Sequence, residues 1–272
     1  MSDDPPLRDV IERYGLAAKK TLGQHFLLDL NITRKIVRLA EIDDGDHVIE
    51  IGPGPGGLTR ALLETGARVT AIERDERCIA ALEELSAANK NRCRVIEADA
   101  LSVDETGLLD DAEAVKIVSN LPYNISTELL IKWLRAGPPL WRSMTLMFQK
   151  EVADRILADP GNKTYGRLSV IAQAASKPRR AFDLPARAFS PPPKVDSTVV
   201  IFDPPTDLIA PLNVLERVTQ AAFSQRRKML RVSLRPLFHE QLSAALENAN
   251  ATETQRAEEL SVEQFQRLAL AL

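Results

Sequence analysis

The chain predicts an α/β fold: a doubly wound, Rossmann-like sheet with an antiparallel addition at one edge, followed by a small all-helical C-terminal domain. Three observations carry that expectation. Five apolar runs of strand length alternate with helical patterns, the first run passes through a glycine-rich loop into a helix, and after Pro204-Pro205 the pattern turns wholly helical.

The five runs are HVIEI (His47 to Ile51), RVTAIE (Arg68 to Glu73), RVIEA (Arg94 to Ala98), VKIVS (Val115 to Ser119) and MTLMF (Met144 to Phe148). Between them LTRALLETG, ERCIAALEELSAANK and TELLIKWLRAG have helical periodicity, as parallel strands joined by crossover helices require. A further helix, FQKEVADRILADPGN, stops at Asp159-Pro160-Gly161. Two late β-like runs follow, RRAFDLP (Arg179 to Pro185) and STVVIFDPP (Ser197 to Pro205), with no crossover helix between them. They predict an antiparallel edge around Ser190-Pro191-Pro192-Pro193-Lys194. From about Thr206 onward VLERVTQAAF, the basic RRKMLRVSL, QLSAALENA and VEQFQRLALAL read as helices. The expected domains are therefore 1–205 and 206–272.

A length of 272 residues with 44% hydrophobic content suffices for a large core. MSDDPPLRDV is neither a secretory signal nor a transit segment, and no apolar run approaches about 18 residues. A cytoplasmic protein with no membrane partner is expected. Cys78 and Cys93 form no C-x-x-C pair, and three histidines offer no zinc-ligand spacing, so reduced thiols and no metal are expected. The net charge of -3 argues against a nucleic-acid binder, but its distribution does not. Lys177 to Arg235 holds 11 Lys or Arg against 5 Asp or Glu, whereas the flanks are acidic. Within that segment FSQRRKMLRVSLR (Phe223 to Arg235) has five basic residues and no acid, and as a helix it could follow a phosphate backbone.

The first strand runs into Glu50-Ile51-Gly52-Pro53-Gly54-Pro55-Gly56-Gly57, which contains G-x-G-x-x-G at Gly52, Gly54 and Gly57. Alone such a loop can be a mere turn. Glu73, about 20 residues later at the end of the second strand, is placed to bind ribose hydroxyls. Asp99, after the third strand, can accept from an adenine amine or simply cap a turn. Pro53 and Pro55 remove two backbone donors that a pyrophosphate would want, which counts against NAD and suits S-adenosylmethionine. The fourth strand ends in SNLPYNIS (Ser119 to Ser126), where a plain turn is the simplest reading.

The set KTLGQHFLLD, EIGPGPGGLT, AIERD, EADAL, NLPYNIS, QKEVADRI, YGRLSV, FSPPPKVDSTVV and FSQRRKMLR resembles the ribosomal RNA adenine N6,N6-dimethyltransferase family, of the KsgA and Dim type, over nearly the whole chain. NLPYNIS and FSPPPKVDS are specific to it, while the glycine loop is common to most class I methyltransferases. The resemblance implies cofactor contacts at His25, Leu27, Gly52, Glu73, Asp99 and Asn120, with S-adenosyl-L-methionine as the cofactor. The family ordinarily has Asn where this chain has His25. It implies chemistry at Asn120, Leu121, Pro122 and Tyr123. Two carbonyl acceptors, from the Asn120 side chain and the Leu121 backbone, would hold the protons of an adenine amine, Pro122 would brace the turn, and Tyr123 would stack on the base. Phe189 is a candidate for the base's other face, with ordinary core burial as its alternative. Arg226, Arg227, Lys228, Arg231 and Arg235 would hold the RNA backbone. The implied substrate is a pair of adjacent adenosines in a hairpin loop near the 3′ end of small-subunit rRNA, in the 30S particle, dimethylated by a monomer during ribosome biogenesis. The rivals are an erythromycin-resistance type methylase of large-subunit rRNA, a non-catalytic assembly factor, and an NAD-dependent oxidoreductase.

Overall fold

Seven strands form one mixed sheet in the computed structural model, which describes residues 5–16, 24–108, 114–206 and 208–272. They are β1 (His47–Ile51), β2 (Arg68–Glu73), β3 (Cys93–Glu97), β4 (Val115–Asn120), β5 (Trp141–Gln149), β6 (Lys177–Leu184) and β7 (Ser197–Asp203). Their order across the sheet is β3-β2-β1-β4-β5-β7-β6. The pairs β1–β2, β2–β3, β1–β4 and β4–β5 are parallel, and β7 runs antiparallel to β5. The chain winds outward from β1 to β3 and then crosses back to β4. The order therefore reverses between β1 and β4, where an open α/β sheet leaves a crevice at its C-terminal edge.

Helices α1 (Leu7–Arg13), α2 (Leu30–Leu39), α3 (Gly57–Glu64), α4 (Glu76–Ala88) and α5 (Ser126–Ala136) belong to the sheet's part of the chain. Side chains start two of them: Asp29 accepts from the Asn31 backbone N–H at α2, and Asp75 from that of Arg77 at α4. Val48, Val69, Ala71 and Val118 from the strands pack with Leu58, Ala61 and Leu62 of α3 and with Ile36 and Val37 of α2. Burial of such apolar side chains is the main force holding the strand ends in place. Cys78 and Cys93 are buried free thiols.

The chain divides into two compact units, Met1–Lys150 with Arg180–Phe202, and Glu151–Arg179 with Asp203–Leu272. The helical part thus recruits α6 (Lys150–Ile156) beyond its first residue and α7 (Arg167–Ala175), which a boundary near Thr206 would leave with the sheet. The reason is visible in its core. Tyr165 meets Phe223 edge-on at 6.2 Å, Phe223 stacks with Phe265 at 5.5 Å, and the Tyr165 hydroxyl donates to the Leu260 carbonyl at 2.9 Å. The remaining helices are α8 (Leu212–Ser224), α9 (Leu230–Ser233), α10 (Arg235–Phe238), α11 (Leu242–Asn248) and α12 (Val262–Leu270).

The expected continuous basic helix from Arg226 to Arg235 does not form. Helix α8 ends at Ser224, Gln225 to Lys228 make a turn, and only short helices follow. Tertiary pairing overrides the local helix preference here. Met229 bridges Arg256, and the backbone N–H groups of Leu230 and Arg231 donate to the carbonyls of Gln255 and Glu253.

Candidate active site

Nine of the sequence-predicted residues line a single pocket in the first unit: His25, Leu27, Gly52, Glu73, Asp99, Asn120, Leu121, Pro122 and Tyr123. The C-terminal ends of β1 to β4 supply most of them. The rest come from the N-terminal motif, of which Lys20 to Gly23 lie outside the described residues.

The glycine loop is the floor. Gly52 has φ of +63°, and a Cβ there would sit 3.2 Å from the Pro122 ring, so the loop after β1 and the turn after β4 pack directly on each other. At Gly57 a Cβ would meet the Leu27 carbonyl at 2.7 Å, which brings the N-terminal motif onto the start of α3. The loop's backbone donors from Gly52 to Gly56 are all engaged. Gly52 donates to the Ile72 carbonyl at 2.9 Å, Gly54 to the Glu73 carboxylate at 3.0 Å, and Gly56 to the Pro53 carbonyl at 3.0 Å, while Pro53 and Pro55 have none to give. From Gly52 to Gly56 no backbone N–H is left for a phosphate.

Glu73 also accepts from the backbone N–H groups of Arg74 and Asp75, both at 2.8 Å. Burial nevertheless pushes its carboxyl up from the ordinary range, and neighbouring Asp75 adds to the rise. Glu50, 1% exposed, takes a hydrogen bond from the Thr59 hydroxyl at 2.7 Å and lines the same pocket. Burial, reinforced by Glu73, raises it to about 8. Asp99 makes the turn cap foreseen for it, and an ion pair besides. One carboxylate oxygen caps the Leu101 N–H at 3.1 Å and the other meets Arg74 at 3.2 Å, at the rim of the pocket.

Above this floor the NLPY turn is held from three sides. The Asn120 amide nitrogen donates to the His25 carbonyl at 3.2 Å. A carbonyl can only accept, so that bond fixes which end of the amide is NH2 and leaves Oδ1 an acceptor with no donor among the described residues. No donor among the described residues engages the Leu121 carbonyl, the second proposed acceptor. Ser119 anchors the strand end by donating to the Ile51 carbonyl at 2.6 Å. The Tyr123 and Ser197 hydroxyls share a hydrogen bond of 2.7 Å, and burial raises the Tyr123 phenol. His25 donates through Nδ1 to the Pro191 carbonyl at 2.8 Å, and its ring stacks on Tyr123 with centroids 5.5 Å apart and planes 28° apart.

Phe189 lies elsewhere. It is 4% exposed, pairs with Leu27 in a two-residue antiparallel ladder and packs in the apolar core, away from the pocket lining. Its ordinary core reading describes this structure. Arg226 is also committed: its guanidinium pairs with Glu258 at 2.8 Å and donates to the Lys163 carbonyl at 2.7 Å. Arg227, Lys228, Arg231 and Arg235 are exposed, with no side-chain partner among the described residues.

Sequence reasoning passed over Glu50, Thr59, Ser119, Ser197 and Gln24, which donates to Asp75 at 3.1 Å. Ser197 ends the FSPPPKVDS motif, so its place in a specific motif was the available signal. Ser119 and Thr59 had none, since a buried hydroxyl that serves a backbone carbonyl or a carboxylate looks like any other Ser or Thr.

The family model for ribosomal RNA adenine dimethylase matches residues 15–272. The chain belongs to the ribosomal RNA adenine dimethylase family. Within it, the chain is 58% identical over 269 residues to the ribosomal RNA small subunit methyltransferase A of Chelativorans sp. (strain BNC1), covering 97% of each chain. The enzyme of the same name from Agrobacterium fabrum (strain C58 / ATCC 33970) is 56% identical over 273 residues, 98% of each. Among solved structures, a dimethyladenosine transferase from Plasmodium falciparum superposes with a TM-score of 0.75 at 28% identity, covering 90% of this chain and 96% of that one. The 23S rRNA methyltransferase ErmE gives 0.69 at 26%, covering 91% and 99%. The sheet and its order are thus those of a Rossmann-like class I methyltransferase.

Proposed function

We propose that the chain transfers methyl groups from S-adenosyl-L-methionine to the exocyclic amines of two adjacent adenosines. They lie in a hairpin loop near the 3′ end of 16S rRNA in the 30S particle. The full-length likeness to small subunit methyltransferases A supports the 16S choice over a 23S substrate. The enzyme would act as a monomer in the cytoplasm, during small-subunit biogenesis. No helix of the described residues is long and apolar enough to cross a membrane, and no group of three or more His, Cys, Asp or Glu among them could hold a metal ion.

The observation that carries the reading is the Asn120 amide. Its NH2 donates to the His25 carbonyl, which leaves its carbonyl oxygen as an acceptor on a residue lining a pocket whose glycine loop spends its N–H groups from Gly52 to Gly56. That chemistry fits the cofactor. S-adenosylmethionine has no phosphate, and when bound it supplies an electrophilic methyl on a sulfonium. Glu73 would accept from its ribose hydroxyls and Asp99 from its adenine amine, while Gly52 and Leu27 allow close backbone approach and His25 contributes its main chain. An NAD-dependent oxidoreductase is disfavoured, because a dinucleotide's pyrophosphate draws on backbone N–H groups and those from Gly52 to Gly56 are spent here.

An adenine amine is a weak nucleophile because its lone pair is shared with the ring. Asn120 Oδ1 and the Leu121 carbonyl would each accept one amine proton and draw the nitrogen towards a tetrahedral form, with its lone pair localised. Pro122, wedged against Gly52, keeps the Leu121 carbonyl aimed, and Tyr123 offers a ring to an unstacked base. Positioning and electrostatics supply the acceleration, with no covalent enzyme intermediate. A hairpin loop suits such a site because its bases are extruded at lower cost than paired ones.

Incubating the purified protein and methyl-labelled cofactor with 30S particles that lack the modification, and separately with 23S rRNA, tests the proposal. The expected result is label in the 30S particle alone, with nucleoside mass spectrometry giving two N6,N6-dimethyladenosines. Label confined to 23S rRNA would transfer the chain to the erythromycin-resistance type. Binding of the particle with no transfer to either would make it an assembly factor.

A further inference from the structure

We infer that His25 is the second base-stacking residue of this site, so that the extruded adenine is held between the rings of Tyr123 and His25 and not between Tyr123 and Phe189. The inference rests on the adenine-methylation reading and adds to it a contact between enzyme and substrate. Three observations carry it. Phe189 is spent on the core: it faces Leu27 in its short ladder and stays out of the pocket. Tyr123 already has one ring against its face, and that ring is His25. Both rings line the same pocket as Asn120, whose acceptor the adenine amine must reach.

The way the two rings are held supports the assignment. Each is pinned by one hydrogen bond at its edge, Tyr123 by Ser197 and His25 by the Pro191 carbonyl. Edge bonds fix the planes and leave the faces free. Both anchors belong to FSPPPKVDS, so one segment sets the two walls of the slot. With centroids 5.5 Å apart and planes 28° apart, the rings now rest on each other. A base inserted between them needs two stacking spacings of roughly 3.4 Å, so the walls must part by a little over 1 Å. Until a base arrives, each ring covers the face that the base will take. The cost of opening is the loss of one ring contact, and two base contacts replace it.

The residue divides its work between both substrates. Its carbonyl orients Asn120, whereas its side chain faces the base. An asparagine at this position, the family's usual residue, would keep the main-chain bond and offer no ring.

The test compares His25→Ala, His25→Asn and His25→Phe with the wild type on unmodified 30S particles, alongside cofactor Kd by calorimetry and thermal midpoints. The expected result is a fall of roughly tenfold in kcat/KM for Ala and Asn, the size of one lost base–ring stack, with Phe within about threefold of wild type. Cofactor Kd should stay within about twofold in all three, since one stack's worth of binding is lost on the base alone. In a hairpin with 2-aminopurine at the target position, the wild type and Phe variant should quench its fluorescence more than Asn does. The inference is overturned if Phe is as impaired as Ala while still folded, if Ala or Asn is unaffected, or if the loss appears in cofactor Kd. Should Ala fail to fold, the contrast between Asn and Phe decides alone. A wild type inactive on the particles would instead overturn the function itself, and this inference with it.

Discussion

Asn120 and Glu50 show how much a single buried polar group can decide. At Asn120 one hydrogen bond of 3.2 Å does two things: it engages one of the amide's two N–H donors and it fixes which end of the amide is the acceptor that the chemistry needs. Asn120→Ala is therefore expected to lower kcat by roughly 10²- to 10³-fold, the range seen when one preorganised polar contact to a transition state is removed. RNA affinity should be unchanged, because the amine contact is small beside the phosphate contacts that dominate binding. Single-turnover kinetics with a filter-binding Kd would check both halves. Glu50 makes a different prediction, about stability. Burial lifts its carboxyl to about 8 in the folded protein, whereas the unfolded chain titrates near the ordinary glutamate value of 4.5. Below that value both states hold the proton, and the stability is complete. As pH rises from about 4.5 to 8 the unfolded chain releases a proton that the folded protein keeps, so stability falls across that window and the loss is finished above 8. Glu50→Gln should flatten this slope in a series of thermal midpoints from pH 5 to 9, because an amide can still accept from Thr59. A residual slope of the same sign is expected from Glu73, whose carboxyl burial also raises.

Loops carry the site, and they differ in how openly the sequence declares them. The glycine loop is legible because glycines and prolines leave few backbone options: Gly52 at φ of +63° and Gly57 under the Leu27 carbonyl are positions where a side chain collides. Gly57→Ala should drive the Leu27 segment off α3, weakening cofactor binding by about tenfold in calorimetry and costing about 1–3 kcal/mol of stability through overpacking. The NLPY turn is legible for the same reason, since Asn and Pro after an apolar run announce the end of a buried strand. The basic segment was not. Nothing local in Gln225 to Arg235 ahead of Pro236 forbids a helix, and what unwinds it is a partner segment, residues 253–256, remote in sequence. That same fold separates neighbours with identical composition. Arg226 is a strut between Glu258 and the Lys163 carbonyl, whereas Arg227 is exposed. Arg226→Ala should lower stability by about 1–2 kcal/mol, discounted for the partial exposure of its ion pair, while Arg227→Ala leaves it unchanged. Urea titrations of the two variants would show the difference. Phe189 stayed between two readings for a related reason: a motif can say that an aromatic matters without saying whether it faces a ligand or holds a β-ladder.

At the scale of the whole molecule the chain has to bring an acidic protein to an acidic polymer. Its net charge is -3, so long-range attraction to RNA cannot come from the total and must come from where the cations are left unpaired. The sequence shows the imbalance, 11 basic against 5 acidic residues from Lys177 to Arg235, but it cannot show which of these are neutralised on folding. Folding spends Arg179 on Asp203, Arg180 on Asp183 and Arg226 on Glu258. It leaves Arg227, Lys228, Arg231 and Arg235 exposed and without side-chain partners among the described residues. They are four of eight such cations in this segment, with Lys177, Arg187, Lys194 and Arg217, and each phosphate neutralised steepens the dependence of affinity on salt by roughly 0.7 to 0.9 in log–log slope. Measured between about 50 and 200 mM salt, the double substitution Arg227→Ala with Lys228→Ala should weaken binding to 30S particles and reduce the slope by about 1.5. Arg226→Ala, whose charge is already paired, should change the slope by less than either single exposed substitution. Equal slopes for the double variant and the wild type would move the RNA-binding surface away from this turn.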